Sequence, residues 1–433
     1  MDYYNKTYLF CGVGGSGMSA LAIAMIAKGA SVYGSDRNYD RGLFTDHYQN
    51  LIDKGVIMVA QDGKAVSSNI DALIVSSAIE PSIPDVAAAQ LQNIQIIKRA
   101  ALLAELTNSA KSITVGGTNG KSTVTGMIGW VLADSGADPT ILNGGGMLNF
   151  DRQNAVIGNM NQIVLETDES DGSITNFKAD IAVLTNISED HKDMDELKTI
   201  FDQYLRQSKV QVLNLDCPIV AQMAQKYPNA HTYTLERTPN DLQLMVPGQH
   251  NVSNALAAIE VSKICGVDER TAVQSLNKFK GIVSRLEVVG ETPQGITVID
   301  DFGHNPNKIA ASLRTLKETK RRLILMFQPH GFGPLKRQKD ELITVFSEYL
   351  DKNDIFYMPE AFYAGGTTDK SISSAEIVKE VSKYIGNSYF FENKMNIRAE
   401  ILKNAKENDI ICIMGARDDG LREMAHSIFK ELS

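Results

Sequence analysis

The run Ser112-Ile113-Thr114-Val115-Gly116-Gly117-Thr118-Asn119-Gly120-Lys121-Ser122-Thr123 decides the architecture. A short β-branched stretch enters a glycine-rich turn, and the turn opens helical periodicity that runs through Leu132. In such a strand–loop–helix unit, backbone N–H groups and a helix N-terminus face a phosphate chain. Lys121 brings charge for a terminal phosphate, and the Ser122 or Thr123 hydroxyl suits a magnesium ion. The spacing is a shortened variant, because G-x-x-x-x-G-K-[ST] asks for glycine where Val115 stands. Gly117, Thr118, Asn119, Gly120, Lys121, Ser122 and Thr123 therefore form a candidate ATP-binding loop, with a chance Gly-Lys-Ser at a turn as the alternative.

Two later strand ends carry acids. Ile163–Glu166 reads as a strand leading into Glu166-Thr167-Asp168-Glu169-Ser170-Asp171, and Ile181–Leu184 leads into Thr185-Asn186-Ile187-Ser188-Glu189-Asp190-His191. In an open parallel sheet, ligands gather at the carboxyl ends of the strands. Glu166 and His191 would then hold magnesium around the phosphates, an ion that needs few protein ligands. Taken alone, the acidic run also fits a solvated loop, and a lone histidine also fits a structural role.

A second glycine loop lies near the start of the chain. Gly12-Val13-Gly14-Gly15-Ser16-Gly17 satisfies G-x-G-x-x-G between the strand Thr7–Cys11 and a helix over Met18–Ala27. The next strand runs into Ser35-Asp36, where a dinucleotide enzyme places its ribose-binding acid. This pattern alone reads as an NAD-dependent oxidoreductase, but any diphosphate needs the same cradle, and a tight turn without ligand has the same glycines.

Short apolar runs alternate with helical segments along the rest of the chain, the rhythm of parallel α/β folds. The polar run Thr107–Lys111 reads as a linker, and the rhythm restarts after Gly281. The expected fold class is α/β in three domains, each on a mainly parallel sheet: Rossmann-like over 1–107, P-loop-type over 108–281 and Rossmann-like over 282–433. The length of 433 residues agrees, at roughly 150 residues per domain.

Composition excludes several classes. Apolar residues make up 43% and charged residues 22%, too apolar a balance for a disordered chain. The net charge of −9, with no basic block, argues against nucleic acid as a partner. Four scattered cysteines exclude a disulfide scaffold and a zinc ribbon and fit a reducing compartment. The apolar stretch Tyr8–Ala27 is broken by glycines and lacks a basic leader, so neither a signal peptide nor membrane insertion is expected. The expected location is the cytoplasm.

With these residues in view, the chain resembles the Mur ligase family, ATP-dependent amide-forming enzymes of peptidoglycan precursor synthesis. The resemblance rests on Gly-Thr-Asn-Gly-Lys-Ser-Thr, Glu166 with His191, Gly248-Gln249-His250-Asn251-Val252-Ser253-Asn254, Ser284-Arg285-Leu286-Glu287 and Asp300-Asp301-Phe302-Gly303-His304-Asn305-Pro306. The opening Gly-Val-Gly-Gly-Ser-Gly-Met-Ser, the Ser76-Ser77-Ala78-Ile79 strand end and Phe327-Gln328-Pro329-His330 tilt it to the C-type branch, with the tripeptide-recycling branch second.

The resemblance implies ligation of an amino acid, L-alanine first, to the lactyl carboxylate of UDP-N-acetylmuramate through an acyl phosphate. It reassigns the first loop from NAD to the UDP diphosphate, with Gly12, Gly14, Gly15, Ser16, Gly17, Met18, Asp36, Ser76 and Ser77 as sugar-nucleotide residues. It makes Lys121, Glu166 and His191 catalytic, with Ser122, Thr123, Glu166 and His191 around Mg2+ or Mn2+. It adds Asn251, Asn254, Arg285 and Asp301 to the ATP site, and His304, His330 and Tyr363 to an amino-acid pocket. The implied partners are small molecules, in a monomer or weak homodimer. Three departures stand out. Asn119 replaces a histidine common in the branch, Gly331–Lys336 replaces an Arg-Tyr-Ser-Arg-like stretch after Gln-Pro-His, and Arg206 lies near where other members carry a carbamylated lysine.

Overall fold

Three sheets organise the computed structural model, which describes residues 3–76, 79–80, 82–188, 193–363, 369–418 and 420–433. The first holds β1 (Thr7–Cys11), β2 (Ser31–Ser35), β3 (Ile57–Val59), β4 (Ala72–Val75) and β5 (Gln95–Lys98) in the order β3-β2-β1-β4-β5, all parallel. This is the doubly wound order, with helices on both faces and ligand space at the carboxyl ends of the strands.

The second sheet holds β6 (Lys111–Gly116), β7 (Pro139–Met147), β8 (Gln153–Val156), β9 (Asn159–Glu166), β10 (Ile181–Leu184), β11 (Val210–Asn214) and β12 (His231–Tyr233). Its order is β12-β11-β10-β6-β9-β7-β8, and β8 alone runs antiparallel to its neighbour. The third holds β13 (Glu287–Glu291), β14 (Thr297–Asp301), β15 (Leu323–Gln328), β16 (Ile355–Pro359), β17 (Ser388–Phe391) and β18 (Ile410–Gly415) in the order β13-β14-β18-β15-β16-β17. There the antiparallel edge strand is β13. The expected mainly parallel α/β class is the class found.

The chain divides into two compact units, one of residues 1–245 with 251–282 and one of 246–250 with 283–433. The first unit carries two sheets because they share an apolar core. Phe10, Leu21 and Leu103 cluster with Leu142, Ile163, Leu165 and Phe177. The second unit has its own cores on the two faces of the third sheet.

One local expectation is corrected. The run Thr107–Lys111 is not a linker: the helix Arg99–Asn108 takes in its first two residues, Ser109 and Ala110 turn the chain, and β6 opens at Lys111. Thr107 stays helical because its hydroxyl donates to the Leu103 carbonyl at 2.6 Å, which satisfies a polar group in a fully buried position. After His330 the chain turns directly into a helix. Helix Phe332–Tyr349 starts at once, anchored by buried Phe332 and Leu335.

Candidate active site

In the first unit, β6 and β10 lie side by side with Gly116 opposite Leu184, so the loops that leave them meet at one edge. They brace each other through many bonds. Thr118 N–H donates to the Asn186 carbonyl at 2.9 Å, and Asn119 N–H donates to Asn186 Oδ1 at 3.0 Å. Thr185 Oγ1 and Asn186 Nδ2 donate back to the Asn119 carbonyl at 2.7 and 2.9 Å. Ser188 N–H closes onto Thr118 Oγ1 at 3.0 Å. Gly117 holds φ +129°, and a Cβ there would lie 2.1 Å from Thr185 Oγ1, so only glycine fits. The glycine loop is thus preformed, and Asn186 is a bracing residue that no sequence motif marked.

Lys121 begins the helix Lys121–Asp134. Its ammonium donates to the Gly117 carbonyl at 2.7 Å and to both Glu169 oxygens at 3.1 and 2.8 Å. The pair is largely shielded from solvent. Glu166 ends β9 in register with Val115 of β6. Its Oε2 is buried without a hydrogen-bond partner among the described residues, and so is Asn119 Oδ1. A Cβ on Gly144 would lie 1.9 Å from Glu166 Oε1, so the carboxylate lies directly on that glycine's backbone.

Asp168 feels burial, which raises its pKa, but the Ser170 hydrogen bonds and the Lys121 and Arg99 charges outweigh it and hold the carboxyl below the usual range. The acidic run is therefore not a uniform solvated loop: Glu166 and Glu169 turn toward the phosphate loop. Glu189, Asp190 and His191 lie outside the described residues. Among the described residues no group of three or more His, Cys, Asp or Glu side chains is assembled for a metal.

A cavity of about 420 Å³ in this unit joins the two glycine loops. Gly12, Gly15, Ser16, Gly17, Met18 and Ser76 line one side, and Lys121 and Glu166 line the other. Gly14 and Asp36 do not line it. Asp36 accepts from Gly14 N–H and Asn38 N–H at 2.9 Å each, so both oxygens serve the chain's own backbone. The same acid caps the short helix Arg37–Asp40. Ser77 lies outside the described residues. Arg99, which carried no sequence signal, lines the cavity as well.

Asn254 packs on the phosphate loop, since a Cβ on Gly120 would lie 2.6 Å from its Oδ1. Its Nδ2 donates to Asn251 Oδ1 at 3.2 Å, and both side chains are buried. Ser122 and Thr123 follow Lys121 at the start of the same helix, half-buried. Arg206 ends helix Met194–Arg206 as an exposed partner of Asp202.

In the second unit, Arg285 sits between Ser284 and Leu286, which hold φ +55° and +47°. Non-glycine residues rarely adopt that region, and the turn is enforced by Asp301. The buried Asp301 carboxyl accepts from Leu286 N–H at 2.9 Å, Ser312 Oγ at 2.7 Å and Gly303 N–H at 3.2 Å. Burial pushes its pKa up against those donors and the Arg285 charge. The Arg285 guanidinium lies 4.7 Å from the Phe302 ring centre. His304 stacks edge-on between Phe302 and His330, with ring centres 5.2 and 5.0 Å away. Phe362 N–H donates to the Pro329 carbonyl at 2.9 Å, which brings the segment of Tyr363 beside that of His330. The residues that follow Tyr363, 364–368, lie outside the described residues.

Three family models match successive parts of the chain: Mur ligase family, catalytic domain, over residues 7–111; Mur ligase middle domain over 115–244; and Mur ligase, glutamate ligase domain, over 284–417. The UDP-N-acetylmuramate–L-alanine ligase of Dictyoglomus turgidum is 34% identical, over 95% of this chain and 94% of its own. That of Agrobacterium fabrum is 30% identical, over 94% and 93%. Among solved structures, the UDP-N-acetylmuramate–alanine ligase of Thermotoga maritima aligns with a TM-score of 0.78 at 24% identity, covering 98% of each chain. The murein peptide ligase of Psychrobacter arcticus aligns with a TM-score of 0.68 at 22% identity, covering 99% and 98%.

Proposed function

The chain belongs to the Mur ligase family, and from that membership we propose that it joins L-alanine to the lactyl carboxylate of UDP-N-acetylmuramate in peptidoglycan precursor synthesis, converting ATP to ADP and phosphate. The observation that carries the reading is the shared cavity: one side is the diphosphate-type loop Gly12–Met18 and the other is Lys121 with Glu166. A sugar nucleotide on the first loop directs its acid toward the phosphate donor on the second. Family membership also replaces the oxidoreductase reading of the first loop.

A carboxylate is a poor electrophile, so the acid is first activated. The lactyl oxygen attacks the γ-phosphorus of ATP, the bond to the β-phosphate oxygen breaks, and an acyl phosphate forms. The neutral amine then adds to the acyl carbon, and the tetrahedral intermediate expels phosphate as the nitrogen gives up a proton to it, leaving the amide. Lys121 offsets charge on the transferring group once it leaves Glu169, in a step where positioning and electrostatics dominate. The braced Gly117–Gly120 backbone and Asn254 hold the nucleotide without reorganising.

The residues present fit a divalent cation, because Glu166 Oε2 is a buried acceptor lacking a donor among the described residues. Glu166, His191, Ser122 and Thr123 would hold Mg2+, or Mn2+ in its place. The ion would supply positive charge to phosphate oxygens.

Arg285 and Asp301 keep the nucleotide role, and His304, His330 and Tyr363 the amino-acid role, that the family resemblance implies. The working division is 1–107 for the sugar nucleotide, 108–281 for ATP and 282–433 for the amino acid. A cytoplasmic monomer or weak homodimer completes the proposal. No described helix is long and apolar enough to cross a membrane.

The test is phosphate release with ATP and UDP-N-acetylmuramate, screened against L-alanine, glycine, L-serine and a diaminopimelate-containing tripeptide. Release that requires L-alanine is expected. Release without any amine overturns the ligase, and release with the tripeptide alone moves the assignment to the recycling reaction.

A further inference from the structure

The cavity has a charge problem that the two glycine loops do not solve. The loop Gly12–Met18 carries no charged side chain. A diphosphate there would rely on backbone N–H groups and the helix Ser16–Ala27 alone, while the cavity also presents Glu166 and Asp168. Among the described residues, the cationic side chains that line it are Lys121 and Arg99. Lys121 is already engaged by Glu169 at 2.8 Å.

Arg99 differs. It is the first residue of the helix Arg99–Asn108, which places it over the start of the other helix. A Cβ on Gly17 would lie 2.9 Å from Arg99 Nη1 and 3.3 Å from Cζ, so the guanidinium rests on the backbone of the diphosphate-type loop itself. Among the described residues it makes no hydrogen bond or ion pair, although its charge helps to hold the Asp168 carboxyl low. A half-buried guanidinium with its donors unused, beside a helix N-terminus and facing a cavity, is built for an anion with paired oxygens.

We propose that Arg99 binds the diphosphate of the sugar nucleotide, as the cation that the glycine loop lacks. The inference rests on the ligase reading and adds a ligand residue to it. Glycine at position 17 then has a second reason: any side chain there would displace the guanidinium. Arg99 is a binding residue and takes no part in bond making.

Calorimetric titration of the full chain tests it, using wild type, Arg99→Ala and Arg99→Lys against UDP, UDP-N-acetylglucosamine, UDP-N-acetylmuramate and uridine, with a non-hydrolysable ATP analogue alongside. Arg99→Ala should weaken all three diphosphate ligands about ten- to a hundredfold. Arg99→Lys should fall between, and uridine and the ATP analogue should be unchanged. The affinity of the wild type for UDP should also drop more steeply with salt than that of Arg99→Ala.

A loss confined to UDP-N-acetylmuramate overturns the proposal and assigns Arg99 to the carboxylate. An equal loss for uridine, or no loss at all, overturns it outright. Arg99→Lys keeps the stem and the charge, so it reads the same contact if Arg99→Ala folds poorly. A wild type that releases phosphate with UDP-N-acetylmuramate and L-alanine beside an unaffected Arg99→Ala sinks this inference alone. A wild type that binds none of the UDP ligands sinks the ligase reading with it.

Discussion

Lys121 Nζ lies 2.8 Å from Glu169 Oε2 and 3.1 Å from Glu169 Oε1. The cation proposed to meet the transferring phosphate is therefore held by the protein's own acid, three residues beyond Glu166. Under that proposal, nucleotide binding exchanges one anionic partner for another.

Replacing Glu169 should expose that competition. Glu169→Gln is expected to tighten binding of a non-hydrolysable ATP analogue about three- to tenfold, the equivalent of about 1 kcal/mol for a partly shielded pair. Weaker binding in this variant would mean that Glu169 aims Lys121 and does not restrain it. Titration at two salt concentrations separates the cases.

Lys121→Ala should lower turnover about a hundred- to a thousandfold, since the ammonium is needed most when charge moves between oxygens. The affinity for UDP-N-acetylmuramate, measured by titration, should be preserved. Turnover like that of wild type would remove Lys121 from the reaction.

Gly144→Ala offers a way to disturb Glu166 without touching it. The added Cβ would lie 1.9 Å from Glu166 Oε1, so the carboxylate must move. The expected result is a raised magnesium requirement for phosphate release, matching Glu166→Ala in direction. An unchanged magnesium profile in both variants would exclude Glu166 as a ligand.

His304 supplies a pH prediction. Burial, followed by the Lys308, His330 and Arg285 charges, pushes its pKa down to about 3, against the opposing Phe302 carbonyl. The folded state therefore binds this proton less readily than the unfolded chain, whose histidine titrates near 6.5. The contribution to stability is complete above that value and is lost as pH falls toward 3, at up to about 1.4 kcal/mol per pH unit. His304→Gln should flatten the fall of melting temperature between those limits. An identical slope in wild type and variant would show that the imidazole is protonated in the folded chain.

Much of the fold was legible because its signals are local. Strand, glycine loop and helix follow one another around Gly12 and again around Gly117, and period and turn chemistry suffice to read them. The β7–β8 hairpin was not legible, because Asn143-Gly144-Gly145-Gly146 looks like a loop, whereas β7 runs through it and pairs with β8 at Ile141, Leu142 and Met147 on either side.

Arg99 and Asn186 escaped for another reason. Neither has a motif, and their importance arises only when distant segments meet: Arg99 at Gly17 and Asn186 at Asn119. The bond from Gly14 N–H to Asp36 was not legible either, because an acid after the second strand looks the same with or without it. Of the acids after β9, sequence gave no ground to separate Glu169 from its neighbours, and its pairing with Lys121 is a tertiary fact.

The pairing of Val115 with Glu166 makes the β6–β9 ladder a notched ruler. A strand that keeps the same face toward its core can slip only in steps of two residues, roughly 6.6 Å. The spacing between phosphate loop and acid is therefore quantised and cannot drift by fractions of an ångström as the intervening sequence varies. Insertions in the β7–β8 turn would leave that gauge untouched, whereas one residue added within β9 would turn Glu166 to the opposite face.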